Sequence, residues 1–351
     1  MLSEIEPRGY SESPVILDKY SKEIDSALYK AISLDNVTLL NMMRYHIGWV
    51  DKHGQFGKPS QGKGLRSSLC VFSCESVGGK PENALPIAAA IELIHNFSLI
   101  HDDIQDGDLE RRHKPTVWVN WGKPKALQAG NVMRVLADMT PKDYLSVEEN
   151  FERVSRCSLI LTTACLDMIE GQYLDLYFEG RTDIDTSKYL EMVSRKTGAL
   201  IRCSMQLGAI VGNADHVTID AMAQCGKYMG NIFQIRDDYL GIWGREEYTG
   251  KAVGNDIRKK KNSLPIVFAT ERSNPDDRKL LQDVYLQDQI EDYDVNRVIS
   301  LLDNVNAKGY VQDIAEQEAT LALESLKHAK MAEEFREDIK ELITFLLYRE
   351  S

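Results

Sequence analysis

The sequence predicts an all-α protein, a single large helical bundle around a central cavity, and three observations carry that expectation. Apolar residues recur at three- and four-residue spacing through 84–104, 154–176, 189–211 and 219–240. Sustained period-two alternation, an Asn-Gly hairpin and a Gly-rich strand-to-helix turn are all missing. No low-complexity linker or fixed-period repeat divides the 351 residues, so one domain spanning 1–351 is expected, with residues 1–12 frayed.

Each element then has its own signal. Pro81 is tolerated in the first turn of a helix and marks the start of the first long apolar run. Pro115 and Pro141 mark further helix boundaries, and Ser187 and Asp215 are placed as helix starts. Ten or more helices are expected in all. Two stretches read as exposed loops: 51–64 (DKHGQFGKPSQGKG) and 245–263 (REEYTGKAVGNDIRKKKNS).

Composition narrows the function classes. Hydrophobic content of 43% and charged content of 27% are those of a soluble globular protein. A net charge of −12 argues against a nucleic-acid binder, because a phosphate backbone demands the opposite sign. Apolar runs such as 85–94, interrupted by Glu92, fall short of the ~20 residues of a membrane span. The first residues lack a basic region followed by an apolar one, so no secretory signal is expected. Cys70, Cys74, Cys157, Cys165, Cys203 and Cys225 form no CxxC pair and read as small core residues of a reduced, cytoplasmic protein.

The chemistry concentrates in acid clusters. On a helix Asp102 and Asp106 share a face, with Asp103 three residues before Asp106. Alone, such a run resembles a solvated helix face. It follows IAAAIELIHNFSLI, however, an apolar stretch that must be largely buried, so these acids lie at the mouth of a core. A second pair, Asp237 and Asp238, ends another apolar stretch, and two such helices can set acids face to face across a bundle cavity. Mg²⁺ takes one or two carboxylates, several waters and phosphate oxygens, which suits this spacing. Cations complement it: Arg111 and Arg112 follow the first cluster, Lys63 and Arg66 flank Gly64, and Lys251 and Lys261 sit in the second loop. Lys259 and Lys260 read as solvated.

Seven ordered motifs, GKGLR, IHNFSLIHDDIQD, RRHKPT, GQYLDL, SRKTGAL, FQIRDDYLG and GKAVGNDIRKKKNSLP, make the chain resemble the trans-isoprenyl diphosphate synthases. The resemblance covers 62–265 by motif and implies the isoprenoid synthase fold. It also implies Mg²⁺ as cofactor, three ions per active site, with isopentenyl diphosphate and an allylic diphosphate as substrates and a homodimer as the assembly. Carried over by position, Asp102, Asp103 and Asp106 with Asp237 and Asp238 would hold the metals. Lys196 and Gln172 would join the catalytic set. Arg111, Lys196, Thr197, Gln234, Lys251 and Lys261 would bind the allylic diphosphate, and Lys63, Arg66, His95 and Arg112 isopentenyl diphosphate.

The chain departs from the family pattern at three places. The first loop lacks its usual Pro after Arg66, Gly241 replaces the last Asp of the second motif, and Gly130-Asn131 replaces Gly-Asp. In the family, an aromatic five residues before the first Asp with no insertion in the motif marks an archaeal-type C20 synthase. Phe97, with Ser98 beside it, fits that pattern. The expected product is therefore geranylgeranyl diphosphate, with the C15 farnesyl product as the alternative.

Two rivals remain at this level. A class I terpene cyclase would carry an NxxxSxxxE triad; Asn296 and Ser300 match its first spacing, but Asn304 ends it. A non-catalytic partner subunit is supported only by Gly241 and Ser67, against intact acid and base motifs. Trp118, Trp121 and Trp243 read as packing residues, and His46, His53, His113 and His216 lack metal-ligand spacing.

Overall fold

A computed structural model describes residues 14–57, 64–141, 151–181, 183–250 and 252–350. The expected all-helical architecture is what it shows. The long helix Pro81–Gln105 is the axis of the bundle. Around it stand Leu65–Ser76, Lys123–Met139, Phe151–Phe178 and Ala199–Val211; His216–Trp243 packs on the last of these, with Ala307–Ser325 behind it. Pro81 opens the axial helix, and Ala88, Ala89 and Ala90 are fully buried on successive faces, so neighbours approach it from every side. It is long and apolar enough to cross a membrane, but most of its apolar window is packed inside the protein.

Most periodic stretches are helices a few residues longer than their apolar pattern. The exception is 189–211, which divides into Thr186–Val193, a π-helical turn Ser194–Gly198, and Ala199–Val211. Such turns insert a residue into a helix and are frequent at functional sites. The start of this segment is capped by Asp185 rather than Ser187: its carboxylate accepts from the Lys188 N–H at 2.8 Å. Asp215 caps as expected, accepting from Thr218 N–H at 2.9 Å.

Two expectations need correction. A hairpin is present after all: Glu110–Arg111 pairs antiparallel with Lys114–Pro115. Its two-residue turn puts Arg112 (φ 53°) and His113 (φ 59°) in the left-handed region, where Asn-Gly is the usual signal. The segment 245–263 is also less exposed than its charge suggests. It contains the helices Glu246–Thr249 and Asn255–Arg258, and Ile257 is fully buried in a second apolar cluster with Ile242, Val295 and Val298. One apolar anchor is enough to pin a charged loop. All six cysteines are buried and free, as expected.

Candidate active site

The axial helix and its neighbours enclose a cavity of about 1860 Å³, and most of the expected site residues line it. The 100° step of an α-helix decides which acids face it. Asp102 and Asp106, four apart, both line the cavity, whereas Asp103 turns inward and is 1% exposed. There its Oδ1 accepts from Arg111 Nε at 2.8 Å and Nη2 at 2.7 Å. Burial, only partly offset by Arg111, pushes the Asp103 carboxyl up to about 6. In this arrangement Asp103 clamps the hairpin that carries Arg111 through Oδ1, while its Oδ2 is buried without a hydrogen-bond partner.

In the second pair both acids line the cavity. Asp237 lines the cavity and is paired with Arg349, whose Nη2 also donates to the Phe233 carbonyl at 3.2 Å. Asp238 is buried and both of its oxygens are occupied. Oδ2 accepts from Tyr189 Oη at 2.5 Å and Leu264 N–H at 3.0 Å, and Oδ1 from Gln234 Nε2 at 3.0 Å. Burial raises its carboxyl to about 7. Asp238 thus lines the cavity with its carboxylate tied down by three hydrogen bonds. A side-chain carbon at Gly241 would meet the Asp256 carboxylate at 2.0 Å, so any larger residue here requires that side chain to move. An acid from the second loop thus stands beside the position where the family's last Asp would project.

The cations arrive from separate elements. Lys196 rides on the π-helical turn, and Gly171 permits the close crossing, because a Cβ there would lie 2.2 Å from the Lys196 backbone nitrogen. Its Nζ is 2.5 Å from Asp175 and 4.0 Å from Asp102. Burial pulls the ammonium down, but Asp175 and Asp102 outweigh it and hold it above its ordinary value. Lys261 is likewise held up, Asp256 and Asp106 exceeding its burial. Thr197 Oγ1 donates to Gln234 Oε1 at 2.9 Å, joining Asp238's network, and Gln172 Nε2 donates to Gln105 at 3.0 Å. On the opposite wall Arg66 Nη1 lies 3.4 Å from His95 Nε2, with Arg112 also lining the cavity. Burial and these arginines keep His95 neutral, well below its usual range. Lys63 and Lys251 lie outside the described residues.

Several residues had no signal that marked them beforehand. Lys259, expected to be solvated, pairs with Asp108 at 2.7 Å across the mouth, and Lys260 donates to the Gln287 carbonyl. Arg349, Asp175, Tyr189 and Asp256 all line the cavity. Asp175 was visible within GQYLDL, but Arg349 sits far from any motif. Phe97 and Ser98 line the cavity one to two turns below Asp102; Phe97 packs edge-on against His101, and Ser98 Oγ donates back to the His95 carbonyl at 2.8 Å. Trp118 and Trp121 do serve packing, with Trp118 donating to the Asp108 carbonyl at 3.0 Å and Trp121 edge-on to Tyr45.

A bundle whose helices present paired acids and cations to one deep cavity defines a class of diphosphate-handling helical proteins. The polyprenyl synthetase family pattern matches residues 49–302, and the chain belongs to that family. It is 36% identical over 338 residues to a short chain isoprenyl diphosphate synthase of Methanothermobacter thermautotrophicus, covering 95% of this chain and 98% of that one. It is 38% identical over 239 residues to a (2E,6E)-farnesyl diphosphate synthase of Mycobacterium tuberculosis, 68% of this chain but only 65% of that protein's length. Among solved structures, a geranylgeranyl pyrophosphate synthetase from Pyrococcus horikoshii superposes with a TM-score of 0.86 at 33% identity, over 95% of this chain and 97% of that one.

Proposed function

We propose that the protein is a short-chain prenyltransferase that condenses isopentenyl diphosphate with an allylic diphosphate and releases geranylgeranyl diphosphate. The observation that carries this reading is the shared cavity: Asp102, Asp106 and Asp237 line it together with Lys196, Lys261, Arg66 and Arg112. The donor set fits Mg²⁺. Asp102 Oδ1 is buried and accepts no hydrogen bond, and burial and the Asp102 charge push the Asp106 carboxyl up to about 6. Among the described residues no three acids, histidines or cysteines close a cage, which suits an ion completed by phosphate oxygens. Asp102 and Asp106 would hold two ions and Asp237 a third. When bound, they supply charge that stabilises the departing diphosphate.

The chain's own groups do the rest. Lys196, Lys261, Gln234 and Thr197 line the side where the allylic diphosphate would sit, with Arg111 steered there by Asp103. The two lysines add positive charge as the carbon–oxygen bond breaks. Arg66, Arg112 and neutral His95 receive the second diphosphate, and Gln172 stands above the reacting carbons. Attack of the isopentenyl double bond on the allylic cation forms the new carbon–carbon bond. The released diphosphate takes the proton.

Phe97, 8% exposed and reaching the cavity wall, supports a C20 stop. The likeness to a farnesyl synthase keeps C15 as the second reading. Purified protein, Mg²⁺, labelled isopentenyl diphosphate and each allylic primer, resolved by product length, test both; no turnover with any primer sinks the proposal. Phe97→Ala should lengthen the product in the same assay.

We also propose a homodimer. Val135, Leu159, Leu166 and Ile169 are large, apolar and 48–68% exposed along Lys123–Met139 and Phe151–Phe178, a face that a second copy would cover. Light scattering that reports a monomer would remove this part.

A further inference from the structure

The geometry points to Arg134, held by Asp138, as a specificity-determining residue that ends the growing chain opposite Phe97. It rests on the prenyl-transfer reading above. Arg134 lines the same cavity as Asp102, and its Nη1 lies 2.5 Å from Asp138 Oδ1 on the next turn of its helix. The guanidinium also interacts with the buried Cys165 thiol on the facing helix. Phe97, Asn131, Val135, Met168 and Ile169 line the cavity with it.

Two helices set its depth independently. Phe97 lies five residues, about 7.5 Å, below Asp102 along the axial helix. Lys123–Met139 runs the other way: Trp118, just ahead of it, bonds to Asp108 at the mouth, and Leu127 O is 3.3 Å from His101 Nε2. Gly130 backs the same His101 ring, leaving no room for a Cβ. Arg134, one turn beyond Gly130, therefore stands about 6 Å below His101, level with Phe97. Phe151–Phe178 gives the same level. Gln172 meets Gln105 at the top, and Cys165, beside Arg134, is seven residues or about 10.5 Å lower. Phe97 is eight residues or about 12 Å below Gln105.

A hydrocarbon tail that reaches this level meets the Phe97 ring on one side and a permanent cation on the other. Arg stays charged in proteins, so the tail cannot pass without stripping water from the Arg134–Asp138 pair. Phe97 blocks by volume, which a methylene or two can negotiate. Arg134 blocks by charge, which no hydrocarbon can satisfy.

The test compares wild type with Arg134→Leu, Arg134→Met and Arg134→Lys, reading both product length and the rate of the first condensation on a C5 primer. Removing the charge in the Leu and Met variants should raise the share of products beyond C20 at least about tenfold, the scale on which such pockets discriminate. The first-condensation rate should stay unchanged, because the C5 chain does not reach this depth. The Lys variant should keep the wild-type length. Unchanged length in folded Leu and Met variants overturns the inference, as does a Lys variant that lengthens products as Leu does. If Leu unfolds the protein, Met carries the comparison. A wild type that forms no prenyl product at all overturns the underlying reading, and the inference with it.

Discussion

The two Asp-Asp pairs occupy the ends of two buried helices: in the first, Asp102 faces the cavity and Asp103 is turned into the scaffold, whereas in the second both Asp237 and Asp238 line the cavity, Asp238 tied down by three hydrogen bonds. They differ in how the remaining charge is assembled. Around Asp102 nearly everything is local, with Asp106 one turn on, Asp103 adjacent, and Arg111 brought back by a hairpin nine residues away. Around Asp237 the neighbours come from distant segments. Asp256 fills the space beside Gly241, and Arg349 reaches in from the C-terminal end, held by Arg236 Nε donating to its carbonyl at 2.8 Å. The first cluster is a motif in the chain; the second is a meeting of chain segments.

Four changes would break or sharpen that contrast. The largest effect is expected at Asp102. Asp102→Asn should cut kcat about 10²–10³-fold, the usual loss for a group that stabilises developing charge, with little change in melting. A fall confined to KM would show that Asp102 only binds.

Asp103→Ala should act differently, because it leaves Arg111 without its buried partner. Destabilisation of about 3 kcal/mol in denaturant titration is the expected outcome, with KM for the allylic substrate raised as Arg111 loses its place. Stability equal to wild type would argue that Asp103 is a ligand after all.

In the second cluster, restoring the family residue should do harm. Gly241→Asp completes DDxxD on paper but drives a carboxylate into that of Asp256, so activity should fall about tenfold through crowding and like charge. Pairing it with Asp256→Gly should recover most of the loss. An active single variant would mean that the loop simply moves aside.

The smallest effect concerns pH. Burial, then the charges of Arg111 and Arg112, push the His46 imidazole down to about 3 in the folded protein. Below its ordinary value near 6.5 the unfolded chain takes up a proton that the folded one refuses, so stability falls as pH drops from about 6.5 towards 3. His46→Phe should flatten the slope of stability against pH across that window. A slope identical to wild type would assign the acid sensitivity elsewhere, His95 being the next candidate.

The legibility of the site follows the same contrast. Asp102, Asp106, Arg111 and Arg112 could be read together because helical spacing and a short turn gather them in one segment, whereas Lys196 and Thr197, far along the chain, were named only through the family resemblance. Adjacency in sequence hides the 100° rotation that sends Asp102 to the cavity and Asp103 to the core. A charged run also says nothing of which lysine finds Asp108 across the mouth: Lys259 does, while remaining exposed as expected.

Local order by itself determined the helices, the buried character of 84–104, and the two acid pairs at helix ends, because hydrophobic periodicity and i,i+4 spacing are properties of neighbouring residues. Tertiary structure alone decided that Asp256 stands beside Gly241, that Arg349 returns to Asp237, and that Arg134 shares a level with Phe97. Those relations join residues 15, 112 and 37 positions apart, through the Gly241–Asp256 approach, the Arg349–Asp237 pair and the register of the facing helices. Separations of that kind are closed by the packing of whole helices, which no local pattern encodes.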